Sequence, residues 1–198
     1  MATVRTLSTL ALYLTCLSTA RVTADGVPAA FFSCTSYHCK SGQHVQLDSP
    51  QWQTVRQLFD NASSPAQERQ QLRRAVALLE QQTGAITGTW RDLAGNVDGA
   101  GQPGQLDCIA ESKNTTTYLQ LLSNAGLLKW HVVENRQKRN PLIFNVHWAA
   151  VIRDTRSRQR YAVDSWFLDN GKPPYIQPLE DWRSGRDFER GQEHLGNQ

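Results

Sequence analysis

The sequence has few cysteines and no strong excess of one charge. Its 198 residues include 21 basic and 18 acidic side chains but only 4 cysteines. The charge balance gives no electrostatic reason to expect nucleic acid or an anionic membrane as a partner, because such partners select concentrated basic patches. Four cysteines are too few to staple a chain of this size, so we expect a single globular domain with a hydrophobic core.

Motifs for common cofactors are also lacking. The sequence contains no glycine-rich phosphate-binding loop and no His/Asp/Glu cluster at the spacing of metal ligands. These absences give no reason to expect a nucleotide-binding or metal-dependent enzyme of the classes that such motifs mark. We therefore expect no cofactor and no metal.

The N-terminus has the pattern of a secretory signal. Arg5 precedes a mostly apolar stretch over residues 6–18, which small residues follow. This stretch is shorter than the roughly 20 residues that span a bilayer. We predict that residues 1–24 are a signal peptide and that residues 25–198 form one periplasmic or secreted domain. No integral membrane anchor is then expected after cleavage.

Export affects the interpretation of the cysteines. Cys34 and Cys39 lie five residues apart in a polar segment, and an oxidising compartment favours a disulfide between them. The alternative is a zinc site that also includes His38 and His44. With the disulfide formed, Cys108 has no partner, and it is either an inert buried thiol or a thiol kept reduced for chemistry.

Helix signals dominate the first half of the chain. In two Ser-Pro pairs, Ser49-Pro50 and Ser64-Pro65, the serine is suited to cap a helix and the proline to occupy its first position. Apolar residues at helical spacing follow each pair, which predicts antiparallel helices over residues 49–60 and 64–83. We expect their many Gln and Arg residues to face solvent.

From residue 83 to 104 the composition shifts to Gly, Asn, Asp and Pro, which predicts a long loop. Loops of this length are often functional, and this one leads directly to Cys108.

A third helix is predicted to begin at Cys108. Asp107 is suited to cap it, and Asn124-Ala125-Gly126 is suited to end it. A thiolate in the first helical turn is stabilised by unpaired backbone amides and by the positive end of the helix dipole. Cys108 is therefore the candidate nucleophile.

The second half of the chain changes to a period of two and to β-branched and aromatic residues, which predicts an antiparallel meander. A short helix is expected to begin near Glu180. The predicted strands cover residues 127–133, 142–152, 159–166 and 175–179.

Two residues on neighbouring strands can support the thiol. If the hairpin turn is centred between Thr155 and Arg156, His147 stands directly opposite Asp164. A register shift of two residues keeps both on one face, whereas a shift of one separates them. An imidazole oriented by a carboxylate is what a thiol nucleophile needs as its general base.

Three segments carry a family resemblance. They resemble the bacterial transglutaminase-like cysteine proteinases and the wider transglutaminase-like superfamily over about residues 105–182. The resemblance implies an α+β, papain-like fold in which Cys108 is the nucleophile, His147 the general base and acid, and Asp164 the residue that orients the imidazole. The segments are Leu106-Asp107-Cys108, Val146-His147-Trp148-Ala149-Ala150-Val151-Ile152 and Tyr161-Ala162-Val163-Asp164-Ser165-Trp166.

The oxyanion donors follow in part from this resemblance. The backbone N–H of Cys108 is a candidate because a helix N-terminus directs amides at developing negative charge. By their likeness to papain and to transglutaminases, Gln102 and Trp90 are candidate side-chain donors, although Trp90 also suits a core position. Ile109 and Ala110 stand where the exported proteinases have acidic residues, so calcium dependence is not carried over.

Together these features favour an exported cysteine hydrolase. It would act on amide bonds of protein, peptide or peptidoglycan substrates through a thioester intermediate. Two alternatives are an acyl transferase of the transglutaminase type and a non-catalytic binding domain that keeps the same fold.

Overall fold

The computed structural model describes residues 26–140 and 146–186. The predicted signal peptide, residues 1–24, lies outside this part of the chain. Within it, helices and antiparallel sheets form a mixed α+β fold. None of the helices found there combines the length and the apolar character that crossing a bilayer requires. In chain order the elements are β1 (Phe31–Cys34), β2 (Gly42–Val45), α1 (Ser49–Gln57), α2 (Pro65–Thr87), α3 (Cys108–Asn124), β3 (His131–Arg139), β4 (His147–Asp154), β5 (Arg160–Asp164), β6 (Tyr175–Pro178) and α4 (Leu179–Arg183).

Side-chain caps start the first two helices. Asp48, rather than the expected Ser49, caps α1, because its carboxylate accepts the Gln51 amide while the Gln51 side chain accepts the Asp48 amide. The helix ends at Gln57 and is shorter than the predicted 49–60. Ser64 caps α2 as expected from the sequence, with its hydroxyl 3.2 Å from the Gln67 amide nitrogen.

Helix α2 does not end before Gly84, as the sequence had suggested. It continues to Thr87 and is terminated by Gly88, whose φ of 84° is left-handed. Gly84 thus lies inside the helix, and a glycine is needed there because the chain that follows α2 packs closely against it. A Cβ at this position would lie 2.9 Å from the Trp90 backbone nitrogen and 2.8 Å from Asn170 Oδ1. This glycine is required for close packing and not for a turn.

The polar side of α2 is not wholly solvated. Glu68 is fully buried, and its carboxylate accepts the backbone N–H groups of Lys129, Trp130 and His131. These bonds hold the chain against α2 just before β3. The strand therefore runs over His131–Arg139 instead of the predicted 127–133.

Four antiparallel strands form the central sheet in the order β3-β4-β5-β6, which is the expected meander. Helices α1, α2 and α3 pack on one face around Trp52, Leu72, Leu119, Ile152 and Val163. On the other face, Leu179 and Trp182 of α4 cover Ala149, Val151 and Ala162.

The β4–β5 register differs from the predicted one by two residues. Ala150 pairs with Val163, so His147 does not stand directly opposite Asp164. Because the shift is even, both side chains keep the same face. His147 begins β4 and Asp164 ends β5, which places them at one end of the sheet.

A longer turn than expected causes this shift. The Asp154 carboxylate accepts the Arg156 and Ser157 amides at 2.8 and 3.0 Å, which closes a local turn. Arg158 then adopts a φ of 63°, which is rare for a non-glycine residue, before the ladder resumes at Arg160.

The packing at Gly84 gives a testable prediction. We expect Gly84→Ala to lower the free energy of unfolding by at least about 1 kcal/mol, because the added methyl group overlaps the Trp90 backbone. The measurement is urea unfolding. At an exposed helical glycine the same substitution would stabilise by about 1 kcal/mol.

The neighbouring Ala85 provides the control, because it is exposed on the same helix. Ala85→Gly should cost about 1 kcal/mol through helix propensity alone. A stabilised Gly84→Ala protein would contradict the packing described above.

Candidate active site

Helix α3 begins at the predicted nucleophile. Asp107 caps the helix, as expected, with its Oδ1 atom 2.9 Å from the Ala110 amide nitrogen. Cys108 is therefore the first helical residue, and its thiol is free and partly exposed. The thiol lies where unpaired amides and the helix dipole stabilise a negative charge.

A disulfide loop packs against this helix start. Cys34 and Cys39 are joined, as predicted, which leaves no thiolates for the alternative zinc site. His38, inside the loop, places Nδ1 2.7 Å from Asp107 Oδ2, and its backbone N–H donates to Asp107 Oδ1. The amide side chain of Asn114 on α3 both accepts from and donates to the Cys34 backbone. Both ends of the disulfide loop are thus held: Cys34 bonds to Asn114 on α3, and His38 bonds to the Asp107 cap.

The predicted contact between His147 and Asp164 is present. His147 Nε2 lies 2.7 Å from Asp164 Oδ2, and both side chains are at least 97% buried. Trp182 Nε1 also donates to Asp164 Oδ2 at 2.7 Å. Burial of a carboxylate is costly unless it is paired, and this one has an imidazole and an indole as partners. Trp182 was not identified from the sequence, because its position on α4 carries no signal for this contact.

Aromatic rings surround the imidazole. The centroid of the His147 ring lies 5.0 Å from that of Trp166, 4.9 Å from Phe167 and 5.9 Å from Trp182. These rings fix the orientation of the imidazole and exclude water from it. The sequence places Trp166 and Phe167 directly after β5, but their role becomes evident only in the folded chain.

His147 also interacts with Cys108, which completes the arrangement. Burial alone would lower the pKa of His147, but hydrogen bonds to Asp164 and Cys108, with the negative charges of both groups, raise it to about 9. Since Nε2 is bonded to Asp164, Nδ1 is the ring nitrogen left for the thiol. The three residues thus lie in the order thiol, imidazole and carboxylate, which is the order that a cysteine nucleophile and its general base require.

The two side-chain oxyanion candidates lie in the loop before α3. Gln102 is exposed in a turn, where its backbone N–H donates to the Gly99 carbonyl. Trp90 is 59% exposed, with the Arg91 guanidinium over its ring, so the expectation of a core position is wrong. Within the described residues, no hydrogen bond or ring contact joins either side chain to the Cys-His-Asp group. Their proposed role stays a prediction.

Two hydrogen bonds, one buried and one partly buried, order the end of this loop. Asp92 Oδ1 accepts the Leu106 amide at 2.8 Å, and the Gln105 side chain accepts the Leu93 amide at 3.3 Å. These bonds join residues 92 and 93 to residues 105 and 106, and so fix the backbone position just before Cys108.

Three buried acidic residues that interact with one another, Glu80, Asp92 and Glu111, lie near the site, and the sequence did not predict them. Burial raises the pKa of Glu80 to about 7 and that of Asp92 to about 6. Burial and the charges of its acidic neighbours, Asp164 included, raise the pKa of Glu111 well above its ordinary value. Glu111 lies in the first turn of α3 and shares a hydrogen bond with Asp92. A protonated Glu111 is the donor that this contact requires.

Comparison with protein-family models, with curated proteins and with solved structures finds no match for this chain. The functional interpretation therefore rests on the geometry of the described residues and on the three motifs of the sequence.

The histidine gives the second prediction. We expect the His147 Cε1–H resonance to titrate near pH 9, and the midpoint to fall in Asp164→Asn because the neutral amide stabilises the imidazolium less. The measurement is an NMR pH titration. Asp60→Asn, which removes an exposed carboxylate elsewhere, is the matched control. A parent midpoint near 6.5 would contradict the arrangement.

The free energy of unfolding should depend on pH through the same titration of His147. Because the folded state raises the pKa of His147 above its ordinary 6.5, its protonation stabilises the fold fully below pH 6.5. This contribution, on the order of 3 kcal/mol, is lost as the pH rises through about 9. The difference in unfolding free energy between the parent and His147→Gln should shrink over that interval.

Proposed function

We propose that the protein is an exported cysteine hydrolase that cleaves amide bonds with Cys108, His147 and Asp164, on a papain-like fold of the transglutaminase-like type. The observation that carries this proposal is the position of His147, which is hydrogen-bonded to Asp164 and lies near enough to Cys108 for that group to raise the pKa of the imidazole. A helix start packed against the end of an antiparallel sheet is also the arrangement that the three motifs imply. The disulfide is compatible with an oxidising compartment.

The first half of the reaction uses the thiolate of Cys108 as the nucleophile. Its sulfur attacks the substrate carbonyl carbon, and the carbonyl electron pair moves to oxygen to give a tetrahedral oxyanion. The backbone N–H of Cys108 is the proposed donor to this oxyanion. The His147 imidazolium then gives its proton to the amide nitrogen, the C–N bond breaks, and a thioester remains.

The second half returns the site to its starting state. Neutral His147 takes a proton from water, and the resulting hydroxide adds to the thioester carbonyl. The C–S bond breaks, and Cys108 leaves as a thiolate beside the imidazolium. Transfer to an amine follows the same steps with a different second nucleophile.

Asp164 and Trp182 are positioning residues in this scheme. The carboxylate fixes the ring so that Nδ1 faces the thiol, and it stabilises the positive charge on the imidazolium. Trp182 fixes the carboxylate in turn through its indole N–H. Neither residue needs to touch the substrate.

The labelling rate of Cys108 tests the ion pair. We expect iodoacetamide to alkylate the parent rapidly at pH 6 to 7, and His147→Ala to slow this about tenfold or more because the stabilising imidazolium is lost. His44→Ala, which removes an exposed histidine, is the control. Superimposable rate–pH profiles for the parent and His147→Ala would favour the non-catalytic binding domain.

Amide cleavage tests the reaction itself. With casein and purified peptidoglycan as substrates, we expect the parent to release free amines and Cys108→Ser to release none, because a serine hydroxyl is not held as an anion by the same imidazole. A fluorescent primary amine in a parallel reaction distinguishes transfer from hydrolysis. Incorporation of the amine without release of acid would replace the hydrolase with an acyl transferase.

A further inference from the structure

Arg139, the last residue of β3, stands directly opposite His147 in the central sheet. The two residues are Cα partners in the antiparallel β3–β4 ladder, so their side chains share one face and their Cβ atoms lie about 4.5 to 5.5 Å apart. Both residues are buried, with 9% and 2% of their surfaces exposed. A guanidinium and an imidazole are therefore neighbours in an interior that screens charge poorly.

Two aromatic rings lie against both groups. The Arg139 guanidinium is 4.9 Å from the Trp182 ring centroid and 5.8 Å from that of Phe167. The same two rings contact the His147 imidazole. Arg139 Nη1 also donates to the Trp182 carbonyl at 2.6 Å. These contacts fix the planar guanidinium beside the imidazole.

The carboxylate of Asp164 is shared by the two cations. It bonds to His147, and its negative charge also opposes the effect of burial, which lowers the pKa of Arg139. An arginine nevertheless stays charged at every pH at which proteins fold. Asp164 therefore faces two positive charges whenever His147 is protonated.

Other ionisable groups also act on this part of the site. Cys108 at the start of α3 favours the imidazolium. Glu111 interacts with Asp164, but its pKa is raised well above its ordinary value by burial, so it carries little charge. Arg136 on β3 interacts with the charge of Cys108. The charged side chains of α4 pair near the surface, Glu180 with Arg183 and Asp181 with Arg186.

We propose that Arg139 is a positioning residue whose charge opposes the protonation of His147 and thereby keeps the imidazolium able to release its proton. Like charges that stand directly opposite each other in a ladder destabilise one another. With Asp164 and Cys108 alone, the imidazolium would hold its proton more firmly, and a firmly held proton is transferred slowly to a leaving group. The consequence for catalysis rests on the proposed amide chemistry of Cys108, whereas the electrostatic effect on His147 does not.

NMR titration of the His147 Cε1–H resonance tests this effect. Arg139→Gln removes the charge and keeps an amide that can donate to the Trp182 carbonyl. We expect the His147 midpoint to rise by about one pH unit, because loss of a nearby cation stabilises the imidazolium. Arg139→Lys keeps the charge and should return the midpoint towards the parent value. A merely structural role predicts the opposite sign, because loosening of Asp164 weakens the bond that raises the pKa of His147.

Lys138 provides the matched control, because it is the neighbouring residue of β3 and is exposed on the other face of the strand. Lys138→Gln removes the same charge from solvent and should leave the His147 midpoint within about 0.2 pH unit of the parent. An unchanged or lowered midpoint in Arg139→Gln overturns the proposal, and so does an equal rise in Lys138→Gln.

A second pair of variants serves if Arg139→Gln does not fold. Arg139→Met and Arg139→Lys have unbranched side chains of similar length that differ in charge. A higher His147 midpoint in the Met variant supports the proposal, and an equal or lower midpoint overturns it.

Activity separates this proposal from the proposed function. If the parent cleaves amides, Arg139→Gln should move the alkaline limb of kcat upward with the His147 midpoint and lower kcat about threefold, with recovery in Arg139→Lys. A parent that cleaves no amide contradicts the hydrolase, and the midpoints still decide the role of Arg139. An active parent whose His147 midpoint does not rise in Arg139→Gln contradicts the role of Arg139 alone.

Discussion

The buried carboxylate of Asp164 is the constraint on which the sheet end depends. A charge removed from water must be paired, and here the imidazole of His147 and the indole of Trp182 supply the partners. His147 begins β4, Asp164 ends β5 and Trp182 lies on α4. These three elements must therefore meet at one place for the charge of the carboxylate to be paired. The orientation of the imidazole follows from this requirement.

A second carboxylate, that of Asp107, organises the other half of the site. It caps α3 and also accepts the backbone amide of His38 while its second oxygen contacts the His38 ring. The same group therefore fixes the helix start and the disulfide loop. Because the carboxylate shares its negative charge with these donors, less of that charge acts on the neighbouring Cys108, which the proposed mechanism uses as a thiolate.

Local signals were sufficient for the parts of the fold that local chemistry decides. The cap at Asp107 and the shared face of Asp164 follow from helix-start preference and from the period of two, which tolerates an even register shift. The exact register required the positive φ of Arg158, which no turn preference predicts for arginine. The start of β3 and the partner of the site carboxylate required long-range contacts, made by Glu68 and Trp182, whose sequence neighbours give no sign of them.

The bonds between Asn114 and the Cys34 backbone have a consequence for production of the protein. Asn114-Thr115-Thr116 matches the acceptor sequence for N-glycosylation, yet the asparagine is buried and both amide atoms are engaged. A glycan on this nitrogen is incompatible with the folded contact. In a host that glycosylates chains as they enter the secretory pathway, modification before folding would trap the polypeptide, whereas a host without that machinery avoids the problem.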